Sequence, residues 1–198
     1  MGLVSNATGC EVLKMMLETE RLILRNWQES DVEHYLALAS DVGYHCFTRP
    51  GRFMVQNAKE AKAKVRERML LFDRRKLGKF PIFLKKSRPT ETGEFIGTCG
   101  IEPFNLEEQP ELELGYRLRL NFWGKGYAKE AATAMLKYGF DDLRLPKIMA
   151  FVLPQNRASV RILEQLGFQY LRDFVHAELV HRLYEFPQRV QGLRDSQA

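Results

Sequence analysis

Ten residues of near-perfect alternation lead into a glycine-bracketed turn and then a helix, and this junction constrains the chain more than any other segment. It reads Glu111-Leu-Glu-Leu-Gly-Tyr-Arg-Leu-Arg-Leu120, then Asn121-Phe-Trp-Gly-Lys-Gly-Tyr-Ala128, then Lys129-Glu-Ala-Ala-Thr-Ala-Met-Leu136. Leu112, Leu114, Tyr116, Leu118 and Leu120 fall on one face of a strand, with Glu111, Glu113, Arg117 and Arg119 on the other. Ala128, Ala132, Met135, Leu136 and Gly139 then repeat at helical spacing, so the period changes across the turn. Gly124 and Gly126 sit where that helix begins. A helix start offers unpaired N–H groups and the positive end of the macrodipole, and glycines let an anion approach that backbone. The residues fail the P-loop pattern, and Lys129 stands where a dinucleotide fingerprint needs a third small residue. The junction is either an anion site for a phosphorylated cofactor or a tight connection without a ligand.

The 198 residues suffice for one domain with a substantial core. An apolar fraction of 45% and a charged fraction of 28% are those of a soluble globular chain, and no apolar run has membrane-spanning length. The formal charge of +5 is spread among interspersed acids and bases, which argues against a nucleic-acid-binding surface. Cys10, Cys46 and Cys99 form no framework, which points to a reducing, cytoplasmic setting. The four histidines lack metal-ligand spacing, so no metal is expected. Residues 1–16 read as a flexible leader, with Met15 or Met16 an alternative start, and residues 188–198 as a polar tail.

Between them the pattern predicts a strand over 22–27, a helix from Ser30-Asp31, an aromatic loop over 41–54 and a charged helix from about Asn57 to Arg75. A strand over 79–85 follows, its Pro81 suggesting an edge or a strand start. Residues 94–101 pair back after a turn, and residues 103–110 make a second turn before the alternating strand. The apolar run 147–153 predicts a strand buried on both faces, Pro154 to Gly167 a short helix, and about 168–175 with 180–186 a closing hairpin. The fold class is α+β: a mixed, mostly antiparallel sheet of about seven strands and about four helices. A right-handed crossover joins strand 111–120 to strand 147–153 and puts the glycine turn at a strand's carboxyl end.

The runs Gly115-Tyr-Arg-Leu, Trp123-Gly-Lys-Gly-Tyr-Ala-Lys-Glu-Ala131, Asn156-Arg-Ala-Ser159 and Leu166-Gly-Phe168 resemble the GNAT superfamily of acyl-coenzyme A-dependent N-acetyltransferases. The opening Leu17-Glu-Thr-Glu-Arg-Leu-Ile-Leu-Arg25 is similar to its ribosomal-protein (Rim-type) branch, and the likeness covers residues 17–187. The resemblance implies acetyl-coenzyme A as donor, coenzyme A as product, and two strands splayed apart at the cofactor. The family's phosphate loop, Gln/Arg-x-x-Gly-x-Gly/Ala, falls on Asn121, Gly124 and Gly126, so the first position departs from the pattern. The cofactor set that follows is Tyr116, Leu118, Gly124, Lys125, Gly126, Tyr127, Ala128, Asn156 and Ser159, with the thioester carbonyl near Leu114 or Gly115.

An amine attacks a thioester only when neutral, so a base must take a proton and a donor must help the thiolate leave. Glu113 occupies the position often assigned to the base, with Glu111 in reserve, the alternative for either being an ordinary exposed strand carboxylate. The tyrosine that many members place on the short helix is Leu163 here, which cannot donate. The branch carries a serine where this chain has Ser159, whose hydroxyl either serves the sulfur or caps the helix. Tyr44, His45, Phe47, Phe53 and His176 are the candidates for the acceptor site. The resemblance favours a protein or peptide N-terminal amine, a small-molecule amine remains open, and so does a homodimer. Two other classes compete: an acyl-coenzyme A sensor without turnover, and a basic nucleic-acid-binding protein.

Overall fold

A computed structural model describes residues 15–47, 55–86 and 91–187. Eight strands form one sheet: β1 (Met16–Glu18), β2 (Leu22–Arg25), β3 (Gly78–Lys85), β4 (Thr92–Leu106), β5 (Gln109–Leu118), β6 (Lys147–Val152), β7 (Gln169–His176) and β8 (Leu179–Pro187). Their order is β1-β2-β3-β4-β5-β6-β8-β7. Every pairing is antiparallel except β5 with β6, which the crossover helix makes parallel. The helices are α1 (Val32–Ala39), the single turn α2 (Val42–His45), α3 (Ala58–Arg75), α4 (Tyr127–Lys137) and α5 (Arg157–Leu166).

The sheet carries its core on both faces. Leu114, Leu118, Ile148, Ala150, Val152 and Tyr184 meet Ala131, Ala132, Met135 and Leu136 of α4 and Leu163 of α5. On the opposite face Trp27, Phe83 and Phe95 pack with Leu38 of α1 and Val65 of α3. A smaller apolar cluster, Met149, Phe174 and Leu183 with half-buried Phe104, Leu106 and Phe151, lies toward the β6–β8–β7 end. The residues alternate as a two-residue period demands, so each strand feeds both layers. Asn57 starts α3 by accepting from the Glu60 N–H at 3.0 Å.

Several sequence expectations need correction. The described fold begins two residues before the boundary expected at 17: Met15 is buried and its N–H donates to Asn26, and Met16 opens an eighth strand. Residues 1–14 and 188–198 lie outside the described residues, as do 48–54, which include Phe53. β3 is an interior strand despite Pro81. Its pairing with β2 ends at Ile82, so the N–H that proline lacks has no strand to serve on that side. Residues 103–110 are no long turn. β4 and β5 run on to a two-residue connection, Glu107-Glu108, with φ of 50° and 69°. Ala177-Glu178 join β7 and β8 in the same way, with φ of 50° and 67°. Neither pair contains the Asn or Gly that normally announces a hairpin turn with positive φ. β5 stops at Leu118 because the chain is pulled out of line there. The Trp123 indole donates to the Leu118 carbonyl at 2.8 Å, and the Leu120 N–H donates to Asp41 at 3.0 Å. Leu120 thereby leaves the strand face and becomes exposed.

Two glycines predict opposite outcomes on substitution. A Cβ on Gly100 would lie 1.8 Å from the Gly78 carbonyl oxygen, a clash between two backbones. Gly100→Ala should therefore destabilise by more than about 2 kcal/mol in a urea melt. A Cβ on Gly124 meets nothing within 4 Å, and only its φ of +73° opposes a side chain. Gly124→Ala should cost about 1 kcal/mol in the same measurement.

Candidate active site

Gly124 and Gly126 both adopt left-handed conformations, φ +73° and +82°, and Gly126 is the N-cap of α4. No side chain caps this helix. The N–H groups of its first turn, Tyr127 to Lys129, are therefore left for a ligand or solvent, with the positive end of the dipole behind them. Tyr127, Ala128 and Lys129 line a cavity of about 620 Å³ that starts at this loop and runs between β5 and β6. The missing Cβ atoms keep the approach to these amides open. The residues present fit a diphosphate.

The loop is held from behind by the β1–β2 connection. The Thr19 hydroxyl and the Arg21 N–H both donate to Glu130 Oε1, at 2.5 and 2.9 Å. The Arg21 guanidinium bonds Glu130 Oε2 through Nε at 2.7 Å, donates to the Lys125 carbonyl at 3.0 Å and lies 4.6 Å over the Tyr127 ring. Four bonds and a ring contact thus fix the turn to the sheet. Sequence reading assigned this Thr-Glu-Arg segment only to a family signature, because its partner Glu130 lies over a hundred residues away.

The cavity exists because two strands part. β5 and β6 share register only at Glu113 and Met149, whereas β5 pairs with β4 along its whole length. Beyond that point Gly115 to Leu118 and Ala150 to Leu153 line the two sides of a gap. The first turn of α5 borders it. Asn156 caps this helix by accepting from the Ser159 N–H at 3.1 Å, and the Tyr116 hydroxyl reaches the Ser159 carbonyl at 3.4 Å. Of the expected cofactor residues, Tyr116, Leu118, Gly124, Gly126, Tyr127, Ala128, Asn156 and Ser159 all line the cavity. Lys125 does not: its ammonium turns back over the Phe122 ring at 5.5 Å. Lys129, Arg161 and Gln165 join the wall unforeseen, brought there by helical periodicity in α4 and α5.

Glu113 lines the cavity where β5 and β6 last pair, 8% exposed, beside Gly115. Its carboxylate lies 3.4 Å from the Lys79 ammonium of β3, which also bonds Glu102 of β4 at 2.8 Å. Arg68 of α3 reaches Glu102 from the other side. Two carboxylates and two cations therefore alternate across three strands and a helix. Burial alone would raise the Glu102 carboxyl, but Lys79 and Arg68 outweigh it and hold it down to about 2. Burial would likewise lower the Lys79 ammonium, and Glu113 with Glu102 reverse this and raise it. A Cβ on Gly115 would sit 2.6 Å from Lys79 Nζ and 3.0 Å from Glu113 Oε1, so glycine is what lets both groups converge there. Glu111, the reserve base, is no part of this wall and bonds Lys147 at 2.6 Å. Sequence reading passed over Lys79 and Glu102 because only sheet register brings them to Glu113.

At the far end His176 lines the cavity as expected, whereas Phe47 lines it beside the glycine turn, stacked on Trp123 at 6.1 Å. His45 does not line it: its ring meets the Ala39 carbonyl at 2.6 Å. The Tyr44 side chain lies outside the described residues. His181, unforeseen, stands 5.7 Å from His176, and Phe151 lies 4.9 and 5.4 Å from the two imidazoles. Residues 174 and 181 are partners across the hairpin, as are 176 and 179, so a two-residue turn puts both histidines on one face. Among the described residues no group of His, Cys, Asp and Glu could hold a metal, and no helix is long and apolar enough to cross a membrane.

The Glu102 arrangement has a pH signature. A carboxyl whose folded value lies below its ordinary value of 4.5 contributes stability that is complete above about 4.5 and lost as pH falls toward 2. Glu102→Gln should remove on the order of 3 kcal/mol at neutral pH. It should also flatten the acid side of the stability curve measured by urea unfolding between pH 2 and 7.

Residues 21–169 match the family model for the acetyltransferase (GNAT) domain. Uncharacterized protein YkkB of Bacillus subtilis is 34% identical over 157 residues, covering 79% of this chain and 87% of that one. Uncharacterized N-acetyltransferase p20 of Bacillus licheniformis is 33% identical, covering 83% of each. Among solved structures, RimL, a ribosomal L7/L12 alpha-N-protein acetyltransferase in complex with coenzyme A, superposes with a TM-score of 0.73. It is 17% identical, over 87% of this chain and 98% of that one, which speaks for the fold alone. With three quarters of its length under the family model and the parted strands in place, the chain belongs to the GNAT family of acetyltransferases and is an N-acetyltransferase.

Proposed function

We propose that this chain transfers an acetyl group from acetyl-coenzyme A directly to a primary amine. The observation that carries the proposal is the single cavity joining the uncapped start of α4 to Glu113 through the gap between β5 and β6. Acetyl-coenzyme A supplies the activated acyl group as a thioester. The amides of Tyr127 to Lys129 bind its diphosphate, and Gly124 and Gly126 keep that backbone accessible. Hydrogen bonds from N–H donors to charged groups contribute about 1.5–3 kcal/mol each. The edges of β5 and β6 that lack a ladder partner receive the extended arm. Tyr116, Leu118, Asn156 and Ser159 form the walls of that slot.

Glu113 takes the proton that the acceptor must lose, directly or through water. Its carboxylate lines the cavity beside Gly115, and Lys79 orients it at 3.4 Å. Ser159 is the hydroxyl nearest in role to a donor for the departing thiolate. The Tyr116 hydroxyl is already directed to the Ser159 carbonyl at 3.4 Å. The acceptor enters from the end lined by Phe151, His176 and His181. The opening Leu17 to Arg25 segment, similar to the ribosomal-protein branch, supports a protein N-terminus as acceptor. A small-molecule amine uses the same chemistry.

Two variants test the assignment. Glu113→Gln should lower kcat for acetyl transfer by about 10²-fold or more, with calorimetric affinity for coenzyme A unchanged. An undiminished rate over a panel of amines would remove Glu113 from the mechanism. Arg21→Ala releases the brace on the glycine turn. It should weaken coenzyme A binding by about tenfold while leaving affinity for pantetheine, which lacks the diphosphate, unaltered. Equal losses for both ligands would show general damage instead.

A further inference from the structure

The acceptor end of the cavity is aromatic and has no carboxylate to spare. Building on the acetyl-transfer reading above, we propose that the acceptor is a monoamine whose body is an uncharged aromatic group. Its ring would stack among Phe104, Phe151, His176 and His181, and its amine would point toward Glu113.

Charge comes first. The cavity wall, among the described residues, contains two carboxylates, Glu102 and Glu113, against Lys79, Arg117, Lys129 and Arg161. Both carboxylates are already engaged, Glu102 by Lys79 and Arg68, Glu113 by Lys79. One amine brought to Glu113 loses its proton in the reaction and needs no lasting counter-ion. A second or third ammonium on the same molecule would find no further carboxylate on the cavity wall among the described residues. The wall therefore discriminates against polyamines. It discriminates as well against strongly basic peptides.

The shape of the wall then selects the body. Phe151 is half-buried and sits at the centre of the aromatic group, 5.4 Å from Phe104 and within 5.4 Å of both imidazoles. Phe104, Phe151, Leu179, His176 and His181 all reach the cavity surface. Their rings are mutually tilted or edge-on, which leaves faces and edges for an incoming ring in the geometry aromatic pairs prefer. β5–β6 register fixes the distance from this chamber to Glu113, because Met149, which pairs with Glu113, belongs to the same apolar cluster as Phe151.

The test compares 2-phenylethylamine, ethylamine and spermidine as acceptors with acetyl-coenzyme A on the full-length protein. The kcat/KM for 2-phenylethylamine should exceed that for each of the others at least tenfold. Phe151→Leu, which keeps an apolar side chain, should reduce the ratio of phenylethylamine to ethylamine by about tenfold. A second readout needs no turnover. With coenzyme A present, 2-phenylethylamine should shift the imidazole NMR signals of both His176 and His181 in the wild-type protein. Spermidine used as well as or better than phenylethylamine, or both imidazoles unmoved by it, would overturn the proposal. Imidazole shifts without acetylation of any amine would uphold the aromatic chamber and sink the acetyl-transfer reading instead.

Discussion

The loss of register between β5 and β6 after Glu113 and Met149 is the constraint on which the rest of the molecule depends. Parallel strands joined by a helix ordinarily share a ladder along their length, and an unpaired strand edge inside a domain leaves backbone N–H and C=O groups in search of partners. Here the two strands diverge, β6 keeping β8 on its other side and β5 keeping β4. The cavity is arranged around that opening. The glycine turn sits at one end, the first turn of α5 along one side, and Glu113 where the strands last touch. An extended ligand with amide groups of its own is the natural complement to such a gap.

Two sets of polar contacts keep the opening in shape, and they differ in kind. The Arg21–Glu130–Thr19 brace is partly exposed and acts on geometry: it ties the left-handed turn and α4 to the sheet edge formed by β1 and β2. The Arg68–Glu102–Lys79–Glu113 series is largely buried and acts on electrostatics as well. Breaking a buried pair by removing one member strands the other charge, which costs far more than the pair contributes over an apolar substitute. Such a series is therefore held together by mutual need. It runs across β3, β4, β5 and α3 and ends at Glu113 on the cavity wall.

How much of this was legible in the sequence depends on the range of the interactions. The glycine turn was, because Gly124 and Gly126 fall at a change of hydrophobic period, a purely local signal. So was the inward face of the alternating strand, with Leu114 and Leu118 buried as the two-residue period requires. The resemblance then located Asn156 and Ser159 at the start of α5. What escaped was set by register between distant segments. Lys79 and Glu102 meet Glu113 only through the pairing of β3, β4 and β5, and periodicity within one strand carries no such information. Glu107-Glu108 and Ala177-Glu178 escaped because they turn without the residues that usually permit positive φ. His181 joined His176 as soon as the second of those turns proved to be two residues long.

The account stands or falls on where a coenzyme makes its contacts. Amide hydrogen exchange, measured with and without coenzyme A, reads those contacts residue by residue and without turnover. Protection should rise at residues 126–129 and along 115–118, with pantetheine alone protecting only the second stretch. Unchanged exchange at 126–129 in saturating coenzyme A would contradict the claim that the start of α4 holds the diphosphate.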